Sequence, residues 1–142
     1  FLKDITDMFG TIGNFIGFIG VVVAGITVFI VIFVNAITRR KFIGILKGIG
    51  VHSRAIEMSY VMQSIFYAVV GSGIGMAILY GLLVPFFDAH PINFPFSDGT
   101  IYAPLTGSII RAAVLLIVSM LAGYIPARMI VKRNTLDSIL GR

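Results

Sequence analysis

The sequence holds no cysteine among its 142 residues. Disulfides and thiolate metal or redox sites are therefore excluded, and the redox compartment cannot be read from the chain. Charge is also scarce: Asp, Glu, Lys and Arg make up 12% of the residues, against about a quarter in an ordinary soluble domain. No carboxylate falls in the middle of a long apolar run, which weighs against a proton relay or ion-coupled transporter. There is no G-x-x-x-x-G-K-S/T phosphate loop, so nucleotide hydrolysis has no seat here. No Ser/His, Asp/Asp or H-E-x-x-H constellation lies in the apolar runs, which argues against an intramembrane enzyme. The basic n-region and small-residue cleavage site of a signal peptide are missing from the start. With Phe1 in first place, the chain reads as a mature or trimmed protein or as a piece of a longer one.

What is present is apolar. Hydrophobic residues make up 58% of the chain and the mean hydropathy is +1.02. Residues 15 to 37, FIGFIGVVVAGITVFIVIFVNAI, carry no charge. At about 1.5 Å per helical residue they are long enough to cross a hydrocarbon core of about 30 Å. Two further runs follow, at 58 to 87 and 104 to 131, the last with Arg111 inside it and Arg128 near its far end. The expected architecture is an all-α membrane protein. Its three transmembrane helices are expected at 15 to 38, 53 to 84 and 104 to 131, with connections at 39 to 50 and 85 to 103 and a tail at 132 to 142.

Charge sets the expected orientation. Arg39, Arg40, Lys41, Lys47 and Arg54 cluster in the first connection, and Arg128, Lys132, Arg133 and Arg142 at the C-terminal end. The opposite side offers only Lys3, because residues 85 to 103 contain neither Lys nor Arg. The positive-inside rule then puts the basic connection and the C-terminus in the cytoplasm, and the N-terminus and the 85 to 103 loop outside. The chain is thus a multi-pass protein of a cytoplasmic (inner) membrane, with lipid as one partner and no nucleic-acid partner indicated.

Residues 1 to 14 are patterned as an amphipathic helix, with Leu2, Ile5, Phe9, Ile12 and Ile16 at spacings of three and four. This predicts an extracytoplasmic stalk running on into the first span, with an interfacial helix flat on the lipid as the alternative. The outer loop mixes Pro91, Pro95, Asp98 and Gly99 with Ile92, Phe94, Phe96 and Tyr102 and reads as an irregular cap; Pro104 suits the first turn of the last helix. His90 with Asp88 and Asp98 lacks a metal-ligand spacing and reads as ordinary surface.

Glycine punctuates the spans. GNFIG (13 to 17) and GSGIG (71 to 75) are small-xxx-small patterns that let helices approach closely, within one bundle or against a second subunit. Gly13, Gly17, Gly20, Gly71, Gly75 and Gly123 are the candidate packing glycines, and Gly123 with Pro126 is expected to loosen or kink the third span. Arg111 sits close enough to the outer end to snorkel, and Asn35 and Gln63 are placed for a hydrogen bond between helices.

Between the first two spans lies RRKFIGILKGIG, residues 39 to 50. Phe42, Ile45, Leu46 and Ile49 follow the i, i+3, i+4, i+7 pattern while Arg40, Lys41 and Lys47 can reach water or headgroups. Gly50 is a candidate C-cap and Ser53 a candidate N-cap for the next helix. The result is a short amphipathic helix, serving either as a topology signal and lipid anchor or as a docking element that passes force between a soluble partner and the bundle.

RRKFIGILKGIG, followed by VHSRAIEMSYVMQS and GSGIG, resembles a family pattern: an Arg, then Glu-Ile-Gly, an aliphatic-Lys/Arg-Ala-hydrophobic-Gly run, and a Gly-rich helix. The ending AGYIPARMIVKRNTLDSIL resembles the same family's closing pattern of a Gly, a Pro-Ala, basic residues and Pro-x-Glu-Ala-Leu. The family is that of ABC transporter permeases of the FtsX/MacB/LolC type, and the resemblance covers about 15 to 141. Phe42 stands where the family has Glu, which removes the ground for a salt bridge there but not for the helix. Thr135 replaces the Pro, with Asp137 at the acidic position.

The resemblance implies one further span and a large extracytoplasmic domain upstream of these three spans. It implies a dimer with a second permease copy or homologue, resting on two cytoplasmic ABC ATPase subunits that would hold the ATP and Mg; no cofactor is expected in this chain. It likens residues 40 to 49 to a coupling helix seated in the ATPase, with Arg40, Lys41, Phe42, Ile43, Ile45, Leu46 and Lys47 as contact candidates, chief among them Phe42, Ile43, Leu46 and Lys47. The expected function is a permease subunit that turns ATP hydrolysis into work on lipoprotein, lipid, peptide or drug. Alternatives are a regulator of an extracytoplasmic cell-wall hydrolase, or another extracytoplasmic protein, and a structural or assembly protein.

Overall fold

The computed structural model describes residues 1–90 and 103–132. Within them the chain is all helix: α1 (Leu2–Thr38), α2 (Arg40–Gly48), α3 (Ser53–Ile78), α4 (Val84–Ala89) and α5 (Leu105–Val131), with a π-helical turn Leu79–Leu83 joining α3 to α4. Three helices are long and apolar enough to cross a membrane: Leu2–Thr38, Ser53–Ala89 and Leu105–Val131. The most apolar stretch of each has only 11%, 0% and 17% of its residues buried within the chain. Such surface is expected of helices solvated by lipid and not of a soluble core.

α1 illustrates why helix wins. VVVAGITVFIVIFV is rich in β-branched residues that favour strands in water. In hydrocarbon, however, each backbone N–H and C=O must be satisfied within the segment, and a lone segment meets that demand only as a helix. Its threonines follow suit. Thr27 and Thr38 donate their hydroxyls to the carbonyls of Val23 (2.8 Å) and Val34 (2.7 Å), four residues back. No break divides 1–14 from 15–38. At about 1.5 Å per residue the 37-residue helix is roughly 55 Å long, nearly twice the hydrocarbon thickness of about 30 Å.

The second long helix outruns its expected end at residue 84. It turns π-helical at Leu79–Leu83 and continues through Pro85 to Ala89, so the start of the expected 85 to 103 loop is helical. Pro85 has no N–H to give the carbonyl of Gly81, and its ring would clash there in a regular α-helix. The widened turn, with the Val84 N–H bonded to the Leu79 carbonyl, carries the chain past that position. The rest of the expected loop, 91–102, and the tail from 133 lie outside the described residues. At the other end of the connection Pro104 occupies the N-cap of α5 and helix begins at Leu105. α5 is not interrupted at Gly123 or Pro126; both are buried inside a continuous helix.

α5 is the central element. It packs along both α1 and α3, which touch each other at few places. α1 and α5 run parallel, meeting at Gly17–Arg111 and Gly25–Val118; α3 runs antiparallel to them, meeting α5 at Ser64–Gly123 and Tyr80–Ser108. The core gathers at the basic end, where Ile32 and Ala36 of α1, Ile43 of α2, Ile56 and Tyr60 of α3, and Ala127, Ile130 and Val131 of α5 form one cluster.

Candidate functional site

The short helix α2 is wedged into that cluster. Ile43 (3% exposed) and Gly44 are its buried positions, and Leu46 and Val51 pack against the same cluster. The Lys47 ammonium crosses to α5 and donates to the Val131 carbonyl at 2.8 Å. A cation there satisfies a C-terminal carbonyl that has no intrahelical partner and complements the negative end of the helix dipole.

The end of α2 is fixed by a Schellman motif. The Gly50 N–H bonds to the Lys47 carbonyl (3.1 Å) and the Val51 N–H to the Leu46 carbonyl (3.0 Å). Gly50 has φ +97°, a left-handed conformation that glycine adopts without penalty. The C-cap itself is Ile49, and Gly50, expected there, is the left-handed residue one position beyond it. Ser53 is not the cap of α3: His52 holds that position, and Ser53 is the first helical residue.

The contact candidates divide. Phe42 and Ile45 are exposed (58% and 47%), as is Lys41, and Arg40 is half-buried. Ile43 faces the cluster, Leu46 packs on it, and Lys47 is tied to α5. Ile43, Leu46 and Lys47 were among the foremost contact candidates in the sequence, yet their side chains are turned to this chain's own helices. The physical reason is the width of the apolar arc. α2 carries apolar residues on more than one stripe, and periodicity alone cannot say which stripe the spans take; in the fold it is the Ile43 side.

The candidate packing glycines divide as well. A Cβ on Gly123 would lie 2.6 Å from the Cβ of Ser64, and one on Gly25 would lie 2.5 Å from Val118 Cγ1. Gly17 lies under the Arg111 guanidinium, with Nε 3.4 Å from where its Cβ would be. Around Gly13, Gly20, Gly71 and Gly75 nothing comes within 4 Å of that point among the described residues, so of the 13–17 pattern only Gly17 meets α5, and the 71–75 pattern does not form the crossing of α3 with α5. That crossing is built from another series, S-x-x-x-G-x-x-x-A at Ser119, Gly123 and Ala127, facing Tyr60, Ser64 and Ala68 at the same spacing; all six are buried. The signal was legible as small residues four apart within SMLAGYIPA.

Several polar groups in the spans are paired between helices, while the buried Ser119 hydroxyl of α5 has no hydrogen-bond partner among the described residues. Arg111 Nη2 donates to Asn14 Oδ1 at 2.9 Å, joining α5 to α1. Asn35 Nδ2 donates to Gln63 Oε1 at 3.4 Å, and Gln63 Nε2 to the Tyr67 hydroxyl at 2.7 Å. Tyr80 and Ser108 share a hydrogen bond of 2.8 Å near the far end of the bundle. No group of three His, Cys, Asp or Glu side chains that could hold a metal ion occurs among the described residues.

Among the described residues the arrangement is therefore a short amphipathic platform, packed on the bundle through Ile43 and Leu46 and with Phe42 and Ile45 exposed on the other side. The FtsX-like permease C-terminal family matches residues 14–135. The ABC transporter permease YtrF of Bacillus subtilis (strain 168) is 30% identical over 138 residues, covering 88% of this chain and 31% of that protein. Two proteins named macrolide export ATP-binding/permease protein MacB are similarly close. That of Haemophilus ducreyi (strain 35000HP / ATCC 700724) is 31% identical over 127 residues, 87% of this chain and 17% of its own length. That of Rhodopseudomonas palustris (strain HaA2) is 30% identical over 131 residues, 89% and 19% respectively. The chain thus spans less than a third of each of these relatives. No solved structure gives a significant match.

Proposed function

This chain belongs to the FtsX-like permease family, and from that premise we propose that it is the membrane portion of an ABC transporter permease in which α2 is the coupling helix. A separate ATPase holds the ATP and Mg, and this chain receives the motion. The observation that carries the reading is the two-sidedness of α2: Ile43 lies in the cluster where all three long helices meet, while Phe42 and Ile45 stand bare on the same short helix. A bare apolar pair flanked by Lys41 and Arg40 suits a groove with acidic rims. A push on it is delivered to α5 through the Lys47–Val131 bond and to α1 through the single residue Arg39 that joins α1 to α2.

In the same reading the basic end is cytoplasmic and Phe1 is outside, following the positive-inside bias. The excess length of α1 is a stalk that carries motion beyond the bilayer. The exposed Gly71 and Gly75 face is available to a second permease subunit. The relatives named for macrolide export make an amphiphilic small molecule one substrate class to test, beside lipoprotein, lipid and peptide.

The test is co-purification of the full-length permease with its ATPase, comparing wild type with Phe42→Asp and Ile45→Asp. These exposed positions report on docking and leave the fold intact, whereas Leu46→Asp would also disturb the cluster. Loss of association and of ATPase stimulation is expected. Unchanged association and stimulation in both variants would overturn the assignment.

A further inference from the structure

Beside the α2 wedge, on the side where α1 and α3 part, lies a cleft of about 310 Å³. Asn35, Arg39, Ser59 and Gln63 bring polar groups to it, and Phe42 and Ile56 give it apolar walls. We infer that this cleft binds the glycerophosphate headgroup of an anionic phospholipid drawn from the adjacent leaflet.

Three observations support the assignment. First, the Arg39 guanidinium has no hydrogen-bond or ion-pair partner among the described residues, although guanidinium is the side chain best shaped to grip a phosphate. Its surroundings are cationic: Arg40, Lys41, Lys47 and Arg54 lie nearby in sequence, with Glu57 as the one carboxylate between residues 39 and 63. Second, the polar groups descend in order of depth. Asn35 lies one turn, about 6 Å, along α1 from Arg39, and its partner Gln63 continues to Tyr67. A phosphate at Arg39 thus has the amides of Asn35 and Gln63 below it, at the level of the glycerol and ester oxygens. Third, α1 and α3 make little contact with each other, and both of these apolar spans contribute residues to the cleft, so it lies between two spans.

A free phosphate needs only the cation. The apolar walls and the place between two spans suit a ligand whose tails remain in the bilayer. The volume, at the lower end of the roughly 300–1,000 Å³ of ordinary ligand pockets, suits the headgroup without the acyl chains. Phe42 is shared with the proposed docking face, but the Arg39 side chain, on which the inference turns, is not part of it, so the inference can fail while ATPase docking holds, and the reverse.

The experiment is native mass spectrometry of the full-length permease released from nanodiscs of equal phosphatidylglycerol and phosphatidylcholine, for wild type, Arg39→Gln and the control Arg54→Gln, whose side chain does not line the cleft. Selective retention of phosphatidylglycerol is expected, reduced about tenfold by Arg39→Gln, as befits loss of one charge-assisted phosphate contact, and unchanged by Arg54→Gln. Equal losses in the two variants would reduce the effect to general surface charge and overturn the site. So would absence of retained lipid in wild type, the result if another segment of the full-length chain fills the cleft. Displacement of the lipid by equimolar soluble glycerol phosphate would overturn the lipid in favour of a free phosphate ester.

Discussion

Gly123→Ala tests the helix crossing on which the bundle is built. A Cβ at that position would stand 2.6 Å from the Ser64 Cβ and 3.4 Å from the Tyr60 carbonyl oxygen. Non-bonded carbons settle at about 3.5–4.0 Å, so α3 and α5 must separate by roughly 1 Å. Ser64 offers no flexible end to move aside: its side chain is fully buried and its hydroxyl is already bonded to the Val61 carbonyl at 2.8 Å. Overpacking of this kind costs about 1–3 kcal/mol, and the intrinsic helix gain of alanine over glycine, about 0.5–1 kcal/mol, offsets only part. A net loss of about 1–2 kcal/mol is expected. The assay is reversible unfolding in mixed micelles, run as a double-mutant cycle with Ser64→Gly, which removes the opposing carbon. The cycle should return about 1 kcal/mol or more of favourable coupling. A Gly123→Ala protein as stable as wild type, or one that Ser64→Gly fails to rescue, would refute the argument that this contact sets the helix separation.

Other expectations follow from the same geometry. Gly71→Ala and Gly75→Ala meet nothing within 4 Å in the chain and should leave the monomer unchanged or raise its stability by about 0.5 kcal/mol; a fall in the dimer fraction by cross-linking would identify that face as the subunit contact. Gly50→Ala should cost about 1 kcal/mol, because the residue must hold φ +97°. Gly48→Ala, in open space inside α2, should cost nothing; paired thermal melts decide. Lys47→Met should remove the bond to Val131, lowering stability by about 1 kcal/mol, and should reduce ATPase stimulation by more than it reduces ATPase binding.

The three spans and the basic amphipathic insert were legible because each rests on a one-dimensional property, a run of apolar residues long enough to cross a bilayer or a local break in it. What escaped was three-dimensional. The apolar arc of α2 identified a helix, but only the packing of the long helices decides that Ile43 turns inward while Phe42 and Ile45 stay out. Glycine pairs drew attention to 13–17 and 71–75, but a glycine is silent about whether a neighbour is present; the crossing went instead to Ser119, Gly123 and Ala127. The second span was expected to end at residue 84, and the π-helical turn Leu79–Leu83 instead carries helix past Pro85 to Ala89.

The order of contacts also bears on how motion would travel. α1 and α5 run parallel and are joined at Asn14–Arg111, Gly25–Val118 and the basic-end cluster, so contacts are spread along much of their shared length. α3 is joined to α5 at Ser64–Gly123 and Tyr80–Ser108, while its side-chain hydrogen bond to α1 is the long Asn35–Gln63 contact of 3.4 Å. The interface that yields first is therefore the α1–α3 gap. A tilt of α2 in the proposed mechanism would swing α1 and α5 together against α3, with the small residues of the α3–α5 crossing as pivot. Because α1 extends well past the bilayer thickness, a rotation of a few degrees at that pivot becomes a displacement of several ångströms at its free end. On this argument a reducible bismaleimide cross-linker joining cysteines placed at Asn35 and Gln63, whose side chains meet only at their far ends and so lie too far apart for a direct disulfide, should abolish ATP-driven work while leaving ATPase binding intact, and reduction should restore it. Full activity with the cross-link formed would place the moving interface elsewhere.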